Sequence, residues 1–263
     1  MNKYIKNFKK YQYLLSELVK KDIKLKYRRS KLGILWTLLE PILTALVLSF
    51  VFSQMRPKKG MEYSFIVYIL TGRLLFSFFS GATKSALKSI RSNGSMIKKV
   101  YVPKYIYPLA SVLSNYIIFL ISLIVLFGAI IIYRDEVNIT IHMVEAVVPL
   151  ILILMISLGI GMFLATVSVF FRDMEYLWSV VSMMIMYCSA IFYDPASAAG
   201  AGKEWLFKIN PIYDLILNLR NAVLFGKALD IKTLLYSAAI AVISLVVGFY
   251  TFYKKQDEFI LHI

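Results

Sequence analysis

The fold class predicted is an all-α polytopic membrane protein with six transmembrane helices. Three observations predict it. Hydrophobic residues make up 59% of the 263-residue chain and charged residues 17%, with a mean hydropathy of +0.70. A soluble domain is about 45–50% apolar and about 25% charged, so this much apolar surface cannot be hidden in one core and the bilayer is the expected solvent. Six apolar stretches each approach the roughly 20 helical residues that cross a ~30 Å hydrocarbon core. Lys and Arg are also shared unequally between the two sets of segments joining those stretches.

The elements follow in order. In residues 1–31, Tyr4, Phe8, Tyr11, Leu15, Leu18 and Val19 recur at helical spacing, with Lys on the opposite face. Such a helix is too charged to span and lies flat in the interface. Each Lys beside an anionic leaflet adds about 1 kcal/mol of attraction. The helix is either an anchor or an interface element that also touches a cytoplasmic partner. It interleaves Lys with apolar side chains, unlike a cleaved signal peptide, so retention of the N-terminus is expected.

The six expected spans are Ile34–Ser53, Tyr63–Thr83, Tyr105–Tyr133, Val144–Phe171, Tyr176–Tyr193 and Leu234–Tyr253. The third and fourth are long enough to tilt. The fifth is the shortest and is expected to run into an irregular segment. The chain thus reads as one transmembrane domain: spans one to five over 34–193, outer-side gate helices over 194–232, the last span over 234–253 and a tail over 254–263. Twenty Lys and Arg fall on the side of the termini and nine on the other, with Arg73 inside a span. Both termini are therefore expected in the cytoplasm.

The net charge is +15, but the cations crowd beside apolar spans rather than on a polar domain, which argues against nucleic acid. Cys188 is the only cysteine, so no intrachain disulfide forms. No GxxxxGK[ST] loop is present; "SAAGAGKE" (Ser197–Glu204) has the wrong residues at both ends. "GIG" at Gly159–Gly161 lies inside a span, where small residues let helices approach. His142 and His262 are far apart, and neither HExxH nor DxD occurs. The chain does not read as an enzyme, and no metal or cofactor is expected in it.

Intramembrane charges mark function, because each costs roughly 2.5–3.5 kcal/mol on insertion scales. Glu40 and Arg73 are two such groups, about 6 Å apart in depth at 1.5 Å per helical residue. Either they pair near the pore, within or between subunits, or each is solvated separately in a hydrated pathway. Pro41 lacks a backbone donor, so a kink or local widening is expected there. In "FFRDMEY" (Phe170–Tyr176), Asp173 suits an N-cap and Glu175 the positive helix start, with Arg172 at the end of the preceding helix. This is helix punctuation or a partner contact.

"KINPIYDLILNLRNAVLFG" (Lys208–Gly226) reads as a short amphipathic helix capped by Asn210, with Pro211 at its first position, Asp214 near its start and Gly226 past its end. Together with Trp205–Ile209 it is expected to dip into the outer leaflet and return. Aromatics crowd the second and fifth spans, among them Tyr68, Phe76, Tyr187, Phe192 and Tyr193. They face lipid, or they line a pore where flat rings hold sugars.

Five stretches in order resemble the membrane subunits of ATP-binding-cassette exporters for capsular polysaccharide, O-antigen and teichoic acid. They are "YRRSKLGILWTLLEP" (Tyr27–Pro41), "TGRLLFSFF" (Thr71–Phe79), "MIKKVYVPKYIYPL" (Met96–Leu109), "VFFRD" (Val169–Asp173) and "NPIYDLILNLRNAVLFG" (Asn210–Gly226). "LEP" is similar to the capsule branch and Ile97–Val100 to teichoic-acid permeases. Arg73 departs from that family, which has an apolar residue there.

The resemblance implies a homodimer with a pore between subunits and two copies of a cytoplasmic ATPase, which would bind the ATP and magnesium. Leu32–Gly33 would form a loop at the pore mouth, where Lys26, Arg28, Arg29 and Lys31 would attract the pyrophosphate of a lipid-linked glycan. Ser92–Tyr101, with Asn93, Met96, Lys98, Lys99 and Tyr101, would be the helix that docks on the ATPase. Arg172 and Asp173 would be a second contact. Trp205, Asn210, Pro211 and Arg220 would belong to the outer gate. The expected function is the permease subunit of an ATP-driven exporter that moves a lipid-linked polysaccharide or teichoic acid polymer across a bacterial cytoplasmic membrane. The alternatives are an exporter of a drug, haem or small lipid on the same scaffold, and a membrane enzyme of glycan assembly.

Overall fold

The computed structural model describes residues 2–52, 63–100, 102–193 and 205–262, without the side chains of 2–10, 205 and 206. The expected readings on Tyr101, on Ser197–Glu204 and on the side chains of Tyr4, Phe8 and Trp205 lie outside it.

Helix α1 spans Asn2–Tyr27, α2 Trp36–Phe52, α3 Phe65–Ser92, α4 Gly94–Lys99, α5 Ile106–Ile132 and α6 Val147–Phe170. There follow α7 Met174–Tyr187, α8 Trp205–Lys208, α9 Pro211–Val223, α10 Ile231–Lys255 and α11 Phe259–His262. Helix α3 is the core element: it packs on α5 and α6, and α10 lies against α6.

Five stretches among the described residues are long and apolar enough to cross a membrane: Gly33–Phe52, Phe65–Ser92, Ile106–Ile132, Ile141–Phe170 and Ile231–His262. The expected fifth span is not a sixth such helix. Helix α7 has 14 residues, about 21 Å at 1.5 Å each. It ends in a turn in which Ala190 takes a φ of 45°, a left-handed value that no side chain favours.

The chain nevertheless returns across the bundle between α6 and α10, because those helices run parallel. Glu145, just before α6, accepts a bond from the amide of Leu229, just before α10 (3.2 Å). Midway, Gly159 meets Ser244 and Gly248 so closely that a Cβ on Gly159 or Gly248 would overlap the other helix's backbone. Phe170 and Phe259 meet beyond the far ends (6.0 Å between ring centroids). The described residues between α6 and α10 accordingly form short pieces, α7, α8 and α9.

The second span is longer than expected. Helix α3 continues past Thr83 to Ser92 because Ala86, Leu87, Ser89 and Ile90 keep its inner face buried, while Lys84 and Lys88 point out. Pro41 sits inside α2. The carbonyl of Thr37, four residues earlier, would be its orphan, and it accepts instead from Ser122 Oγ of α5 (3.2 Å).

Helix α1 docks on α5 rather than standing alone. Leu15, Leu18 and Val19 are buried with Ile90, Ile97, Ile106 and Phe259. Lys21 Nζ donates to Asn93 Oδ1 (3.0 Å) and Ser111 Oγ to Asp22 (3.2 Å). The expected tail likewise folds back: Phe259 is buried edge-on to Phe252 (5.1 Å). These contacts bring α1, α4 and α11 to one end of the bundle.

Candidate functional site: a polar groove along the third helix

From Leu70 to Ser92, every residue of α3 that is not buried is polar or glycine: Arg73, Ser77, Ser80, Gly81, Lys84, Ser85, Lys88, Arg91 and Ser92. Steps of three and four put them on one stripe. The exposed stripes of α5, α6 and the membrane-crossing part of α10 are apolar. On α5, Ile117, Leu120, Ile124, Phe127 and Ile131 repeat at the same spacing. An apolar stripe suits lipid, whereas a polar stripe on a membrane helix requires water or protein.

Three cavities follow that stripe. The first, about 440 Å³, lies near the α1 end between Asp22, Lys26, Lys84, Ser85, Ser111, Ser114 and Asn115. The next, about 70 Å³, shares Lys26 and Asn115 with it and adds Tyr27, Thr37, Glu40, Arg73, Ser77 and Ser122. The last, about 440 Å³, shares Thr44 and Arg73 with the second and is otherwise apolar: Leu43, Val47, Leu48, Met186 and Phe192. Together they form one groove, polar at the α1 end, charged at a narrow waist and apolar beyond. Burial raises the Asp22 carboxyl above its ordinary value, and the hydrogen bond from Ser111 opposes that shift.

The structure brings Glu40 and Arg73 to one cavity but does not join them. Neither side chain makes an ion pair or a hydrogen bond among the described residues, so within one chain each stands in the groove separately. At the mouth, Arg28, Arg29, Lys31 and Leu32 are exposed in the turn after α1. Gly33 holds a φ of 55° with open space around it, so glycine is there for its backbone.

The expected aromatics are spread differently. Tyr68, Phe76 and Phe192 are buried within the chain, Tyr193 is half-buried and Tyr187 is exposed. Phe192 stacks on Phe52 (5.3 Å), and Phe76 packs against Phe79 (6.2 Å).

At the opposite end from α1, Asn210 and Arg220 tie the gate segment to α7 and α3. Asn210 Oδ1 accepts from the amide of Ile212 (3.1 Å), the expected cap, with Pro211 at the first position. Its Nδ2 also donates to the carbonyl of Cys188 (3.1 Å) and to Ser189 Oγ (2.8 Å), so one residue caps α9 and closes α7. Arg220 is only 2% exposed. Its guanidinium lies 3.5 Å from the Tyr68 ring centroid. It donates to the carbonyls of Tyr68 (3.2 Å), Ala190 (3.1 Å) and Ile191 (3.1 Å), which fixes the strained turn against α3. A Cβ at Gly72 would sit 2.9 Å from its Nη2, so "TGR" needs its glycine for this contact. Sequence reasoning placed Arg220 in the gate but missed these partners.

At the α1 end, Lys98, Lys99, Val100, Arg172 and Asp173 are exposed, Met96 is half-buried and Asn93 opens α4. Asp173 precedes α7 but makes no side-chain cap bond, contrary to expectation, because it is itself helical (φ −68°, ψ −7°). Glu175 instead reaches α3, pairing with Lys88 (3.1 Å) and with Arg91. Both expected partner contacts therefore stand at one end.

A family model for ABC-2 type transporters matches residues 13–224. The chain belongs to this family. The O-antigen export system permease protein RfbA of Klebsiella pneumoniae is 29% identical over 250 residues, 94% of this chain and 93% of that protein. The polysialic acid transport protein KpsM of Escherichia coli is 23% identical over 242 residues, 92% of each chain. The capsule polysaccharide export inner-membrane protein CtrC of a serogroup A strain of Neisseria meningitidis is 24% identical over 182 residues, 68% of each chain.

Proposed function

We propose that this chain is the permease subunit of an ATP-driven exporter that moves a lipid-linked polysaccharide across a bacterial cytoplasmic membrane. The observation that carries the reading is the α3 stripe: the one face of the core helix that is not buried is polar or glycine from Arg73 to Ser92. A chain that merely anchored a partner would have no use for unburied charge in a span. The named cargo of its relatives, O-antigen and capsule polysaccharide, favours a glycan over a drug, haem or small lipid.

Two copies would face each other across the groove, each supplying the wall the other lacks. Both termini and the α1 end would lie in the cytoplasm, with α7 and the gate segment making the sixth, composite crossing. Lys26, Arg28, Arg29 and Lys31 would gather the anionic head of the carrier lipid at the mouth. Two copies of an ATPase, holding ATP and magnesium, would dock on α4 and on Arg172–Asp173. Their closure would be transmitted through Glu175 to α3 and so to the groove.

Reconstitution with the partner ATPase tests this. ATPase activity is expected to rise with lipid-linked glycan, and the glycan is expected to become accessible on the far side. Stimulation by small amphiphiles alone, with no glycan moved, would overturn the reading.

A further inference from the structure

The waist of the groove holds Lys26, Glu40 and Arg73; none of the three makes an ion pair or a side-chain hydrogen bond among the described residues, and Lys26 Nζ lies 5.7 Å from the Tyr27 ring centroid. Glu40 and Arg73 lie within membrane-spanning stretches, and Lys26 lies on the last turn of α1. A cation–π contact leaves the Lys26 charge unneutralised, and charges that make no ion pair face either water or a compensating group from outside the chain. Their sum is one positive charge, so that group is an anion.

The neutral donors narrow its chemistry. The Tyr27 and Thr37 hydroxyls bond each other (2.8 Å), Ser122 and Thr44 donate to backbone carbonyls, and Asn115 donates one amide hydrogen to Ser111. Arg73, Lys26, the exposed Ser77 hydroxyl and the second amide hydrogen of Asn115 are left to face the cavity. A planar guanidinium, an ammonium and two further donors suit a group with several acceptor oxygens. The cavity, about 70 Å³, is several times the ~10–15 Å³ that a single water needs. Beyond it, through shared Arg73 and Thr44, lies the cavity lined by Leu43, Val47, Leu48, Met186 and Phe192. An anion site opening onto an apolar one fits an amphiphile.

We propose that the waist binds a phosphate group carried on a lipid. Arg73 and Lys26 hold its oxygens, and Ser77 and Asn115 complete the shell. The neighbouring apolar cavity takes the first carbons of the chain. Glu40 is the counter-charge that keeps the site from trapping its ligand, as a transport path requires. The proposal rests on reading the groove as that path. It adds an internal site that shares Lys26 with the exposed cluster at the mouth and centres on Arg73.

The test uses the full permease–ATPase complex in nanodiscs. The probes are farnesyl diphosphate, farnesol, phosphatidylglycerol and inorganic phosphate. The diphosphate is expected to bind and farnesol not to. Arg73→Gln is expected to weaken binding at least tenfold and Arg73→Lys severalfold, whereas Glu40→Gln tightens it severalfold. Opposite shifts at Arg73 and Glu40 are not produced by misfolding, so the pair of variants separates binding from stability. Preference for the diphosphate over phosphatidylglycerol assigns the site to a carrier lipid; equal binding assigns it to bilayer phospholipid. Farnesol binding as well as the diphosphate, displacement by inorganic phosphate with no lipid preference, or unchanged affinity in both Arg73→Gln and Glu40→Gln would overturn the proposal. Glycan export is scored separately: a wild type that exports although Arg73→Gln binds normally loses the site and keeps the transport reading. A wild type that binds by charge yet exports nothing keeps the site and loses that reading.

Discussion

Arg73 and Arg220 are the same side chain in opposite circumstances. Arg220 is sealed in the gate segment, stacked on Tyr68 and bonded to three carbonyls. Arg73 is one residue from the glycine that receives Arg220, yet it points into the groove and bonds nothing among the described residues. The contrast teaches that consecutive positions of one helix serve different ends. Gly72 faces the latch that fixes the gate, and Arg73 faces the path. A satisfied buried cation contributes to stability, whereas an unsatisfied one contributes to function at stability's expense.

The largest effect that sharpens this contrast is expected at Arg220. Arg220→Leu removes the donors to three buried carbonyls, of which Tyr68 and Ala190 keep only a hydroxyl each, and a loss of about 3–5 kcal/mol is expected from the broken network. A lysine cannot reproduce the fork, so Arg220→Lys should recover less than half. Thermal unfolding in detergent measures both. A smaller loss, about 1–2 kcal/mol, is expected for Asn210→Ala, which removes the α9 cap and the donor to α7 together. Glu175→Gln, in a partly exposed ion pair with Lys88 and Arg91, should cost no more than about 1 kcal/mol, less at high salt. Arg73→Leu is expected to change stability by about zero or to raise it, while abolishing export, because Arg73 makes no ion pair or hydrogen bond among the described residues that its loss would break. A strongly destabilised Arg73→Leu would break the comparison, since both arginines would then be structural.

What could be read from the sequence was local. Asn210–Pro211 and Gly226 bracket a helix in the sequence, and the structure has that helix over Pro211–Val223, with Gly226 at a φ of 62°. The burial of Leu15, Leu18 and Val19 follows the helical spacing that marked them. The role of Arg220 was hidden because its partners lie 30 and 152 residues away. The turn that ends α7 was hidden for another reason: Cys188–Ser189–Ala190 carries neither Gly nor Pro, and the left-handed φ at Ala190 is imposed from outside. The α3 stripe did have a signal. Lys84 and Lys88 continue the helical spacing of Arg73, Ser77 and Gly81, but a charge count treats them as the start of a loop. Burial of Ala86, Leu87 and Ile90 between them is what keeps the helix going.

Solvent access along α3 distinguishes a water-filled path from a packed face. Cys188, the sole cysteine, is exposed and is first replaced with serine. Single cysteines are then placed by Ser77→Cys, Gly81→Cys and Ser85→Cys on the stripe, and by Ile124→Cys and Ile131→Cys on the apolar face of α5. Each is exposed to a membrane-impermeant thiol reagent in intact membranes. The three stripe positions are expected to label and the two α5 positions to resist. Equal labelling of both sets, or protection of all three stripe positions, would contradict a water-filled path along this helix.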